Sequence, residues 1–157
     1  MHITSAPLAR RAHTVEVPAA QRDHRRAVTR WALAHRQPLH RDALALVIDC
    51  HAAAHLGGSA TLTGPPIVFR WTRRDVVHVL SEANVWCDRV GASPPDGLAE
   101  TLETYLRFLT ASGLLTGGSD QPRALRAEVQ QHESRRPPHA DRAHPSRSTV
   151  VFPLRDS

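Results

Sequence analysis

Residues 72–113, TRRDVVHVLSEANVWCDRVGASPPDGLAETLETYLRFLTASG, carry the punctuation that decides the fold. Thr72 stands three residues before Asp75, the spacing at which a cap hydroxyl and an acid exchange hydrogen bonds with each other's amides. Val76, Leu80, Ala83, Cys87 and Val90 then recur at helical spacing until Gly91, where glycine accepts the left-handed conformation of a helix end. Ser93 reads as a second cap, with Pro94 and Pro95 in the first turn and Asp96 as its reciprocal acid. Leu98, Leu102, Tyr105 and Leu109 form the next apolar stripe, and Gly113 closes it with Leu114 folding back. Two helices joined by so short a turn are expected to pack as an antiparallel pair.

Outward from this stretch the pattern continues. A helix from about His40 to Leu56 places Leu44, Val47, Ile48, His51 and His55 on one stripe and is stopped by Gly57 and Gly58. Before it, Pro18 opens a helix marked by Val28, Trp31 and His35, which Gln37 and Pro38 end. After it, Ser119 or Asp120 begins a helix with Pro122 in its first turn and Leu125, Val129 and His132 on one side. The expected fold is all-α, a small bundle of about five helices over residues 19–132. Residues 1–18 form an irregular, flexible basic arm, and residues 133–157 a disordered Arg/Pro/His-rich tail ending in the apolar motif TVVFPL. That motif allows a minor two-stranded β element, pairing with the extended segment around Ile67 to Phe69 or with a partner's sheet edge.

All 20 cationic side chains are arginines, so no phosphate-loop, Schiff-base or general-base lysine can operate in this chain. Arginine comes with abundant alanine, glycine and proline, a skew that follows codon GC content more than function. Charge is uneven: residues 1–40 carry +5, residues 71–120 carry −3 and residues 121–157 carry +3. Basic ends can hold phosphate backbones electrostatically, and Arg10, Arg11, Arg22, Arg25 and Arg26 are the candidates for nucleic-acid contact. Two cysteines, Cys50 and Cys87, fit no repeated ligand spacing and are read as buried reduced thiols. No secretory leader and no run long enough to span a bilayer is found, which points to a cytoplasmic protein without a membrane partner.

The phrase YLRFLTASGLLTGG, residues 105–118, resembles the end of a recognition helix entering the first wing of a winged-helix DNA-binding domain. The resemblance implies a nucleic-acid-binding regulator. The same helix carries Asp96, Glu100 and Glu103 against Arg107, and acids in the major groove face phosphate on both sides.

Chemistry is sparse. His51 and His55 lie four residues apart in HAAAH, within reach of one ion, with Cys50, Cys87, His35 and His40 as conceivable further ligands. The glutamate of HExxH metalloproteases is missing. The plainer account has both histidines extending the apolar stripe, so no metal and no cofactor is favoured. Asp75, His78 and Glu82 form a polar face on the next helix, expected to be solvated. No GxSxG elbow, no nucleophile beside a base and no glycine-rich phosphate loop occurs, so an enzyme is not expected. The leading expectation is a non-enzymatic protein-interaction module or small accessory protein with an unidentified protein partner. Its contact residues are read as Trp86 and Val79 on one helix and Val150, Val151, Phe152 and Leu154 in the tail. The alternatives are a nucleic-acid-binding regulator and a metal-binding protein centred on His51 and His55.

Overall fold

The computed structural model describes residues 19–56 and 67–135, and among these the only regular elements are five helices: α1 (Ala19–Ala34), α2 (Arg41–Leu56), α3 (Arg73–Val90), α4 (Leu98–Ala111) and α5 (Pro122–Arg135). No helix among them is long and apolar enough to cross a membrane. The N-terminal arm, Gly57 and Gly58, and the tail beyond Arg135, with Val150, Val151, Phe152 and Leu154, lie outside the described residues; residues 133–135, expected to begin the disordered tail, instead form the last turn of α5.

The helices close into a ring in which α2 packs on α3, α3 on α5, α5 on α4 and α4 on α2, with α1 laid across α4 and α2. Leu44, Val47, Trp71, Val76, Leu80, Leu102, Tyr105, Leu109 and Leu125 fill its interior. The expected α3–α4 pair does not form: each packs on α2 and α5, on opposite sides of the ring. The connector explains this. Gly91 and Gly97 both adopt positive φ, 67° each, and bracket two prolines, so the chain turns twice and reaches across the bundle. α4 therefore starts at Leu98, not in a proline-containing turn capped by Ser93, and its N-cap is Gly97 without a side-chain cap. A Cβ at Gly97 would overlap the His40 ring, so glycine is required there for space as well as conformation.

α3 begins as its sequence predicts. The Thr72 hydroxyl accepts from the Asp75 amide at 3.3 Å while the Asp75 carboxylate accepts from the Thr72 amide at 2.8 Å. Asp120 adds a carboxylate acceptor for the Arg73 amide at 2.7 Å. Two acids thus meet the positive end of the helix dipole.

The minor β element is not borne out: no strand forms among the described residues. The Ile67–Phe69 segment is spoken for by the loop after α4. The Thr116 amide donates to the Phe69 carbonyl at 3.2 Å and the Asp120 amide to the Trp71 carbonyl at 2.8 Å. The Trp71 amide, which a ladder would need, donates instead to the Ser119 hydroxyl at 3.1 Å. This loop corresponds to the winged-helix-like phrase. Its helix, α4, is buried between α1, α2 and α5, leaving a narrow strip on which Glu103 and Arg107 pair at 2.7 Å.

Candidate functional site

α2 and α3 run antiparallel, which sets the last turn of α2 against the capped first turn of α3. His51, on the inner stripe of α2, is 2% exposed and stacks face to face on Trp71, ring centroids 3.7 Å apart at 15°. The Arg70 carbonyl accepts a hydrogen bond from the His51 ring, and because Nε2 has no partner that bond belongs to Nδ1. Burial, reinforced by the neighbouring His55, pushes the His51 pKa down to about 4, so the imidazole is neutral near pH 7. A buried polar atom without a partner costs roughly 1–3 kcal/mol. Two further nitrogens share this condition here, Nε2 of His55 and Nε1 of Trp71.

His55 follows one turn later, its ring 4.7 Å from that of His51. Its Nε2 lies 3.3 Å from Oδ1 of Asp75, without the alignment of a hydrogen bond. The cap positions this carboxylate. Oδ2 accepts from both the amide and the hydroxyl of Thr72 at 2.8 Å, which turns Oδ1 toward the histidines. Burial alone would raise the Asp75 pKa; the Thr72 hydrogen bonds, with His51 and His55 beside them, outweigh it and hold the carboxyl below its usual range. One donor atom each from His51, His55 and Asp75 falls within 4.8 Å of the others. Two imidazoles and a carboxylate make a donor set suited to a divalent transition ion.

Along the same helix pair, toward the other end, an open groove of about 800 Å³ lies between α2 and α3. Its floor is apolar: Ala45, Leu46 and Ala53 of α2 with Cys87 of α3. Trp86 stands at its side, 51% exposed. Asp42, Asp49 and Glu82 line it with carboxylates, against Arg89. Cys50 faces it too, but burial first, then Asp49 and Glu82, raises its pKa to about 11, so the thiol stays protonated and is a poor nucleophile.

The sequence candidates are distributed accordingly. Val79, grouped with Trp86 as a contact residue, is fully buried in the core; one heptad later on the same helix face Trp86 emerges at the groove. Asp75, His78 and Glu82 do not act as one solvated face, because Asp75 joins the histidines while His78 and Glu82 line the groove. Of the conceivable extra ligands, His35 stacks on Trp31, His40 packs at Gly97, and Cys50 and Cys87 line the groove. On α1, Arg25 pairs with Asp49 at 3.3 Å and Arg26 with Asp23 at 3.7 Å, and Arg22 lies on the same helix. Arg10 and Arg11 lie outside the described residues. Asp75 as third donor escaped sequence reasoning. The signal for it was the capping box, which fixes where residue N3 of α3 points, combined with an antiparallel α2–α3 pair. No family model, no curated protein and no solved structure matches this chain.

Proposed function

We propose that this protein is a non-enzymatic docking module whose α2–α3 groove receives an amphipathic helix of a partner protein, one that carries arginine or lysine beside its apolar face. The observation that carries this is Trp86, half exposed at a groove with an apolar floor, whose lining holds the carboxylates of Asp42, Asp49 and Glu82, Asp49 being shared with Arg25, against the single cation Arg89. Tryptophan anchors are enriched among the residues that dominate binding energy, and an apolar groove between helices is the usual receptor for a helical segment. The acidic rim supplies the complementary charge, and it repels a phosphate backbone.

Fluorescence anisotropy with three labelled peptides, the first two of them 18-residue helices, tests this. The first probe has leucine anchors at i, i+3, i+4 and i+7 flanked by arginine, the second has glutamate in place of arginine, and the third is residues 148–157 of this chain. The arginine peptide is expected to bind, with affinity falling at least 10-fold in Trp86→Ala, more modestly in Glu82→Gln, and with added salt. Equal binding of the glutamate peptide, or indifference to Trp86→Ala, would sink the proposal. Preference for the 148–157 peptide would reassign the groove to the chain's own end.

A further inference from the structure

We infer that His51, His55 and Asp75 form a site for one divalent ion of the zinc class, built from the last two turns of α2 and the capped first turn of α3. Three independent features converge on it. First, the 3.3 Å between Nε2 of His55 and Oδ1 of Asp75 matches the edge of a tetrahedron, about 3.3 Å, whose centre lies about 2.0–2.1 Å from each ligand. The same spacing serves a histidine–aspartate ion pair, but the two atoms are not aligned as a hydrogen bond.

Second, His51 is arranged as metal-binding histidines are. One ring nitrogen is tied to a backbone carbonyl, that of Arg70, which fixes the tautomer and leaves the other nitrogen with a free lone pair. That nitrogen is buried with a side chain 2% exposed and has no partner in the protein. Stacking on Trp71 locks the ring plane, so His51 is a rigid donor.

Third, the carboxylate is divided between two tasks. Thr72 occupies Oδ2 twice, and Oδ1 is left 3.3 Å from Nε2 of His55. All three donor atoms lie within 4.8 Å of one another, so a movement of about 1.5 Å at most brings the widest-spaced pair to a tetrahedral edge. Two imidazoles and one carboxylate select against magnesium and calcium, which prefer all-oxygen shells, and thiolate-seeking ions are excluded because both cysteines lie in the groove. Three protein ligands leave one coordination position outside the chain's own donors. The site stands independently of the groove: either can fail without the other.

The test uses the full chain after chelator treatment, titrated with zinc chloride and with magnesium chloride by calorimetry and followed by thermal melting. Zinc is expected to bind one per chain and raise the Tm, as any ligand of the folded state must, and magnesium to do neither. Asp75→Asn is the informative variant, since an amide oxygen can still accept from Thr72 while the amide nitrogen cannot bind a metal. Asp75→Asn and His55→Ala should each weaken zinc at least 10-fold with metal-free melting close to the parent, and His35→Ala should leave the affinity unchanged. Should Asp75→Asn fail to fold, His55→Ala decides alone. No stoichiometric zinc in the parent overturns the site, and so does zinc binding that survives His55→Ala, because another of the 11 histidines would then hold the ion.

Discussion

The two sides of the bundle treat buried polar atoms differently. Within α4 itself each buried polar side chain has a partner: Thr101 accepts from the His40 amide, Thr104 donates to the Pro38 carbonyl at 2.7 Å, and the Tyr105 hydroxyl meets His24 at 2.9 Å. Where α2 meets α3, three buried nitrogens of His51, His55 and Trp71 have none and sit together, whereas the others without a partner, Arg25 Nε, Asn84 Oδ1 and His132 Nδ1, are spread over α1, α3 and α5. Satisfied polar groups specify a core; unsatisfied ones are a cost that a fold carries where something else uses them. The α4 side is scaffold, holding the loop before α2 through its threonines. The α2–α3 side carries grouped orphan nitrogens at one end and an exposed tryptophan along its groove.

The largest effect that probes this contrast is Leu102→Ala. Leu102 is fully buried at the centre of the core, and truncation should cost ~3–4 kcal/mol in urea unfolding, while Trp86→Ala should change stability by no more than about 0.5 kcal/mol. Comparable losses in the two variants would erase the distinction between scaffold and surface.

A second effect is pH dependence. The folded-state pKa of His51 is depressed to about 4 from an ordinary 6.5, so between these values the unfolded chain binds the extra proton. Stability should therefore be complete above pH 6.5 and fall as the pH drops toward 4, by on the order of 2–3 kcal/mol. Burial of His24 adds a loss in the same direction, and Asp75, whose carboxyl is held low, adds its own below that window. Urea midpoints at pH 7.5, 6, 5 and 4.5 for the parent and for His51→Gln measure it; an equally steep acid limb in the variant would show that His51 does not titrate as the fold requires.

The smallest effect sharpens the link between cap and site. Thr72→Ala removes the hydroxyl that both caps α3 and holds Asp75, and should cost ~1 kcal/mol of stability. If the carboxylate is positioned by the cap, zinc affinity falls in parallel and Thr72→Ser restores both; unchanged zinc binding would separate the two roles.

Helices in this chain are legible because their ends are written locally. Thr72 with Asp75 and Gly91 bound α3 at the residues where sequence places them, since a capping box and a left-handed C-cap need only neighbours along the chain. Gly97 shows the opposite case: Ser93 and the two prolines mimic a helix start, and the true start follows from a glycine pressed against His40, some sixty residues earlier. The histidine pair was equally legible, one turn apart on a single helix, whereas its aspartate was read as part of a solvated face.

Composition, apolar periodicity and capping residues were enough by themselves to determine the all-helical class, the five helices found among the described residues and the apolar stripe of α2 that includes His51. These are properties of contiguous segments, governed by backbone hydrogen bonding and the 3.6-residue repeat. Which helices touch was decided only in three dimensions. The ring order that parts α3 from α4, the burial of Val79 one heptad from an exposed Trp86, and the meeting of Asp75 with His51 and His55 all depend on contacts between distant segments, for which a single chain carries no local code. Packing of the shared core selects one arrangement of the five stripes, and the candidate site is a consequence of that selection.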